Sequence, residues 1–316
     1  MKKIAVIGEI LVEIMADTPG DGFTEAQPMT GPFPSGAPAI FADQAARLGQ
    51  PVGILSAVGD DDFGRINLER LARDGVDVSA VRVDPDRPTG SAFVRYRPDG
   101  SRDFVFNIRH SACGQPAAGP AADELLETAE HLHVMGSSLS GPEFIAINVE
   151  AARRVKARGG TVSFDPNLRK EILSAPGMAE AMRRILAMTD LFLPSGEELT
   201  LLTEAKDDAG AIAELLRGGV TALVHKNGAD GARFHDARGS RFVPAFPVEE
   251  VDPTGAGDCF GGAFTALWLR GATPEEALAL AAAAGALAVT RRGPMEGVSD
   301  LAALERFVRA NAGRVE

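Results

Sequence analysis

Short apolar, β-branched runs recur along the chain and alternate with stretches whose apolar positions repeat every three to four residues. Residues 3–7, 53–57, 92–96, 131–135, 161–165, 191–194 and 222–226 read as strands. Between them, 40–48, 63–73, 142–158, 177–188, 197–202 and 209–216 carry the helical period. From Asp258 onward the pattern is almost wholly helical and Ala-rich, above all over 274–290. Strand alternating with helix predicts an α/β fold: a doubly wound, mostly parallel sheet with helices on both faces. Two regions, about 11–35 and 88–112, break the rhythm with short alternating stretches punctuated by Gly, Pro and Asp. Pro98-Asp99-Gly100 reads as a turn, so 91–97 and 102–108 should pair as a hairpin. The pattern predicts a single domain over 1–316, with those two segments forming a small antiparallel lid.

Composition narrows the function. The 316 residues carry 32 Lys and Arg against 44 Asp and Glu, a net charge of −12. With no basic block, the chain lacks the electrostatic footprint that nucleic acid requires. No apolar run approaches the roughly 20 residues that span a bilayer, so no membrane partner is expected. The opening Met-Lys-Lys followed by Ile4-Ala-Val-Ile7 reads as a first strand rather than a signal peptide. Cys113 and Cys259 cannot make a disulfide framework. His131 and His133 sit in a strand-like run with no ligand cluster in sequence and read as strand histidines. These features fit a reduced, cytoplasmic protein.

The most particular string is Val251-Asp252-Pro253-Thr254-Gly255-Ala256-Gly257-Asp258, followed by Cys259-Phe260-Gly261-Gly262. Small residues at 255–257 allow a tight turn that points several N–H groups outward just where a helix begins. A helix N-terminus preceded by such a nest is an anion site by geometry and dipole together. Asp258 lies inside it, and a carboxylate beside a bound phosphate can take the proton of an attacking hydroxyl. Taken alone, Asp258 also fits a helix cap and the glycines a turn. No Gly-x-x-x-x-Gly-Lys-Ser/Thr occurs, which excludes a Walker-type site. Gly8 stands alone after the first strand, which argues against a nicotinamide-binding domain.

The string Asp252–Asp258 resembles the C-terminal signature of the ribokinase-like sugar kinases, the phosphofructokinase-B family. Gly36-Ala-Pro-Ala39 with Ala45-Ala-Arg-Leu-Gly49 is similar to that family's N-terminal Gly-rich signature, and Val58-Gly-Asp-Asp-Asp-Phe-Gly64 to a companion motif. Phe164-Asp-Pro-Asn-Leu-Arg169 resembles the fructokinase, tagatose kinase and 2-keto-3-deoxygluconate kinase branch. The resemblance implies an α/β sandwich with a β-lid over the sugar, and it implies roles. Asp258 becomes the catalytic base, and Gly255, Ala256 and Gly257 the anion hole for the transferring phosphoryl group. Glu198 helps place Mg2+ through water, with Ser195 where the family has Asn. Lys226, Gly228 and Gly231 lie on the nucleotide-side loop, and Ala282 and Gly285 on the helix lining the adenine of ATP. Asp252 is a candidate for a monovalent cation such as K+.

On the sugar side the resemblance implies Glu13, Gly36, Phe106, Arg109, Arg169 and Asp258. Here the chain departs from the pattern. Glu13 stands where many relatives have Asp, Ser35 replaces a Gly, and Ile40 takes the place of a sugar-binding Asn. Arg109 is shifted by one position relative to the lid Arg of relatives with acidic substrates. On a strand that shift turns a side chain to the other face, toward solvent. Arg169 is then the better cation, with Asp165 and Asn167 shaping its loop. The implied activity is transfer of the γ-phosphoryl group of ATP to a hydroxyl of a small sugar, a ketohexose of the fructose or tagatose type. The alternatives are a 2-keto-3-deoxygluconate kinase and, from another class, a non-catalytic sugar- or nucleotide-binding regulator. The family also suggests a homodimer formed through the lid.

Overall fold

Alternation along the first strand sets the layers. In β1 (Ile4–Ile7), Ile4 and Val6 join one apolar cluster while Ala5 and Ile7 join another, as the two-residue period of a strand requires. The same split recurs at Leu191 and Leu193 against Phe192, and at Ala222 and Val224 against Leu223. The computed structural model describes residues 1–115, 118–139, 141–168 and 177–311. Its larger sheet has nine strands. From edge to edge they are β13 (Gly239–Val243), β12 (Ala232–Asp236), β11 (Ala222–Lys226), β10 (Leu191–Phe192), β9 (Thr161–Asp165), β8 (His131–Met135), β1, β4 (Val52–Gly59) and β5 (Val81–Asp84). Every pairing from β11 to β5 is parallel, and only the β11–β12–β13 edge is antiparallel. The helices Ala37–Arg47, Ala256–Leu269 and Pro274–Val289 bury their apolar residues in the first cluster. Pro120–Thr128, Pro142–Ala157, Met178–Leu186 and Asp208–Arg217 bury theirs in the second, on the opposite face. This is the doubly wound arrangement that the sequence pattern predicts.

The seven strands read from the pattern are present, though β10 is only two residues long. Three more were not legible. In β12 and β13 polar and charged residues dominate and most positions of β13 are exposed, which is usual for edge strands. β5 is four residues long and paired on one side only.

A second sheet of four strands stands apart: β3 (Met29–Ser35), β2 (Leu11–Ala16), β6 (Gly90–Tyr96) and β7 (Arg102–Asn107). It consists of two antiparallel pairs joined by a parallel β2–β6 pairing. The 98–100 turn closes the β6–β7 hairpin, with Gly100 at φ +81° donating its N–H to the Arg97 carbonyl at 2.9 Å.

Two helix starts face each other below this lid. Gly36 opens the helix Ala37–Arg47 at φ +114°, and a Cβ there would lie 2.4 Å from the Glu9 carbonyl oxygen. Gly255 opens Ala256–Leu269 at φ +82°, and a Cβ would lie 2.5 Å from the Pro294 carbonyl oxygen. Only glycine fits either position without strain. The Gly261-Gly262 pair lets the two helices approach closely, since a Cβ on Gly262 would meet the Phe41 carbonyl oxygen at 2.5 Å.

His131 and His133 are buried, and both bond to Ser163 Oγ at 2.8 Å. Burial pushes the His131 imidazole down to about 3, so it is neutral at physiological pH. Among the described residues no group of three or more His, Cys, Asp or Glu side chains is placed to hold a metal ion. No helix among them is long and apolar enough to cross a membrane.

Candidate active site

The lid and the two helix starts enclose a cavity of about 650 Å³. Glu13, Gly36, Phe106, Arg109 and Asp258, far apart in sequence, all line it. Register explains the lid's share. Glu13 pairs with Ala92 and Ala92 with Phe106, so the three stand in one row on one face of the sheet, and all three reach the cavity. Arg109 lines the cavity too, although strand alternation would turn it to the other face. The reason is that β7 ends at Asn107, so the two-residue period does not extend to Arg109. Its side chain is nonetheless exposed. Arg169 lies outside the described residues.

Thr254 and Asp258 line the cavity, and between them Gly255 caps the helix, with Ala256, Gly257 and Asp258 forming its first turn; Gly255, Ala256 and Gly257 do not themselves line the cavity. The first backbone N–H groups of a helix lack intrahelical acceptors, and they point toward the positive end of its dipole. Asn167, held at φ +41°, donates from Nδ2 to Asp258 Oδ1 at 3.2 Å. Asn167 therefore does more than shape its loop: it orients the carboxylate proposed as base. Ile40 forms an apolar wall of the cavity beside Gly255.

Beside this turn lies a buried ion pair. Lys226 Nζ bonds Asp165 Oδ2, and both side chains are almost fully covered. The ammonium would lie 3.9 Å from a Cβ placed on Gly257. This places Lys226 beside the first helical turn, with its charge shared with Asp165. Glu198 stands close by, accepting the N–H of Leu168 at 2.6 Å and that of Ser195 at 2.7 Å. Burial, reinforced by the Asp165 carboxylate and opposed by Lys226, pushes Glu198 above the ordinary carboxylate range.

The remaining nucleotide-side residues stand in other surroundings. Gly228 is exposed in a short 3₁₀ turn with open space around it. Gly231 is buried, and a Cβ there would lie 2.3 Å from the Val243 carbonyl oxygen. Gly285 faces the start of the Asp258 helix, 3.3 Å from the Ala256 carbonyl oxygen on the same measure, and Ala282 is partly buried one turn earlier. Asp252 is 1% exposed. Its Oδ1 accepts the Tyr96 hydroxyl at 2.6 Å and the Thr254 N–H at 3.0 Å, and its Oδ2 accepts the Gly293 N–H at 2.9 Å. Burial and the Asp252 carboxylate raise the Tyr96 phenol above its usual value, so it stays a donor.

Sequence reasoning missed Glu9. It lines the cavity, and its two carboxylate oxygens accept Ser137 Oγ and Ser138 Oγ, each at 2.9 Å. Glu9 precedes β2, whose Leu11 and Glu13 also line the cavity. Ser35 Oγ donates to Glu13 Oε2 at 3.2 Å, so the Gly-to-Ser departure fixes the Glu carboxylate.

Comparison with known proteins agrees with this geometry. The model of the pfkB family of carbohydrate kinases matches residues 1–301. A 2-dehydro-3-deoxygluconokinase of Thermoproteus tenax is 34% identical, covering 98% of this chain and 95% of the relative. A fructokinase of Klebsiella pneumoniae is 35% identical, covering 93% and 95%. Among solved structures, a candidate ribokinase II from E. coli in complex with ATP and Mg2+ is 48% identical with a TM-score of 0.92, covering 98% of this chain and 100% of that one. With signature, cavity and whole-length similarity in agreement, the chain belongs to the pfkB family of carbohydrate kinases.

Proposed function

We propose that this carbohydrate kinase transfers the γ-phosphoryl group of ATP to a hydroxyl of a ketohexose seated under the lid. The observation that carries the reading is Asp258: it lines the sugar-sized cavity and belongs to the helix turn whose backbone amides suit an anion. Asp258 takes the proton from the attacking hydroxyl, and Asn167 keeps its carboxylate aimed. The N–H groups of Gly255, Ala256 and Gly257 hold the migrating group, with Lys226 beside the turn. A loose transition state asks for this division, in which positioning and charge stabilisation dominate.

The donor set fits a magnesium ion carried by the nucleotide. Mg2+ keeps several waters and takes one or two carboxylates plus substrate phosphates rather than an all-protein cage. Glu198 is the carboxylate that would hold it through water, and the ion would neutralise phosphate charge. Asp252 would hold a monovalent cation such as K+, sharing its carboxylate with three hydrogen-bond donors. Ala282, Gly285, Gly228 and Gly231 remain the nucleotide-side residues of this reading. A single domain, a cytoplasmic location in keeping with two free cysteines, and a homodimer through the lid complete it.

The wall chemistry favours a neutral sugar. Glu9, Glu13, Glu143 and Asp258 line the cavity, while Arg109 is the only Lys or Arg among its described residues. The described part of the lining repels a substrate carboxylate more than it attracts one. An ADP-release assay over fructose, tagatose, other neutral sugars and 2-keto-3-deoxygluconate tests this. Highest kcat/KM on a neutral ketohexose supports it, and a preference for the keto-acid reverses the substrate. Sugar binding without phosphoryl transfer to any acceptor would favour the regulator.

A further inference from the structure

The lid's buried hydrogen bonds to the phosphoryl end of the site come from one side chain among the described residues. Tyr96 is the last residue of β6 and the only tyrosine in the chain. Ala92, Val94 and Tyr96 share a face of that strand. Ala92 lines the sugar cavity, Val94 is fully buried, and the Tyr96 hydroxyl bonds Asp252 Oδ1 at 2.6 Å and Thr254 Oγ1 at 2.9 Å. One strand thus runs from sugar seat to phosphate loop, about 13 Å at ~3.3 Å per residue. Asp252 is held on its other side by the Gly293 N–H, and the next carbonyl along, that of Pro294, packs against Gly255. The segment from Asp252 to Gly255 is therefore clamped between the lid and the 293–294 turn. Other lid-to-body contacts do not do this. Arg292 meets Asp17 at 2.6 Å where both are partly exposed, and Arg102 reaches Thr254 only at 3.5 Å from an exposed position.

We infer that Tyr96 is a positioning residue for phosphoryl transfer: its hydroxyl sets the Asp252–Thr254 segment, and through it Gly255, when the lid sheet is seated over the sugar. The inference rests on Gly255–Gly257 being the phosphoryl cradle. It makes the lid more than a cover, because the strand that contributes to the sugar wall also fixes the register of the loop that receives the phosphate.

Y96F removes one oxygen and leaves the ring to fill its place. Its kcat should fall about tenfold or more, in line with loss of a hydrogen bond to a buried carboxylate. The KM values for sugar and ATP should stay within about threefold, and the melting temperature within a few degrees, because the fault lies in the geometry of the transition state rather than in binding or folding. A kcat within about twofold of wild type on the folded variant overturns the inference. So does a fall in kcat that merely tracks a lowered melting temperature, or a raised sugar KM at unchanged kcat, which would make Tyr96 a sugar contact. Because the chain has a single tyrosine, the Raman doublet of its phenol reports that hydroxyl alone in the wild-type protein. A strong-donor signature is expected, and a phenol that donates no hydrogen bond overturns the inference whatever Y96F does. This second measurement needs no turnover, so the latch can fail while the kinase reading stands, and the reverse.

Discussion

The two ends of the cavity are built by opposite strategies. At the end assigned to phosphate, a contiguous string from Asp252 to Asp258 supplies turn, helix start and carboxylate, and on the proposed reading its backbone would do most of the binding. At the sugar end, the wall is assembled from Glu9, Glu13, Ser35, Ser137 and Ser138, which come from separate segments and act through side chains. Phosphoryl transfer asks the same thing of every sugar kinase, so a rigid local device can serve. Recognising one sugar asks for polar groups at particular places, which long-range packing sets and single substitutions change.

The sharpest way to break this contrast is at Asp258. D258N keeps the shape of the side chain and its contact with Asn167 but removes the base. Turnover in an ADP-release assay should fall by about 10²–10⁴-fold, the range for losing a general base. Calorimetry should find sugar and nucleotide still bound. Retained turnover would move the base elsewhere and leave Asp258 as a helix cap. A smaller and different effect is expected at the sugar end. E13Q removes a charged acceptor from the cavity wall while keeping its bulk, so the KM for sugar should rise about ten- to a hundredfold with a lesser change in kcat. If E13Q lowered kcat as D258N does while leaving KM alone, the division into a phosphate end and a sugar end would be lost.

The same contrast explains what was legible in the chain. Strand and helix periods disclosed the layers because each β residue goes to one of two clusters, as Ile4 and Ala5 do. Asp258 and its glycines were legible because helix start and nest are local. Glu9 was not singled out, since its meaning depends on Ser137 and Ser138, which sit 128 and 129 residues away. The orientation of Arg109 was not legible for want of one boundary: a strand that ends at Asn107 no longer dictates which way residue 109 turns, and the side chain is exposed at the cavity's edge. Lys226 read as the end of a strand leading into the nucleotide-side loop, but its partner Asp165 comes from β9, and only the sheet order brings the two together. β12 and β13 carry too little apolar alternation to announce themselves.

The two ends are also tied together beneath the cavity, and that tie has a pH signature. Asp43 sits on the helix that Gly36 opens, fully buried, with Arg70 at 3.2 Å. Arg70 in turn donates to the Met295 carbonyl at 2.6 Å, next to the Pro294 carbonyl that packs on Gly255. Burial pushes the Asp43 carboxyl up to about 8, with the neighbouring Asp74 adding to the rise and Arg70 opposing it. In the unfolded chain an Asp releases its proton near pH 4. Between about pH 4 and the folded value, the native state therefore holds a proton that the unfolded state has lost. Stability must fall as pH rises through that window, by at most ~1.4 kcal/mol per pH unit for one such group. D43N keeps a polar group of the same size but has no proton to lose, so its denaturation midpoint should change less between pH 5 and pH 8 than that of the wild type. Parallel profiles for the two proteins would show that Asp43 is ionised throughout, with Arg70 outweighing the cost of burial. The effect on turnover should be the smallest of those named here, because Asp43 does not line the cavity and reaches Gly255 indirectly, through Arg70 and the 294–295 backbone and through its own helix.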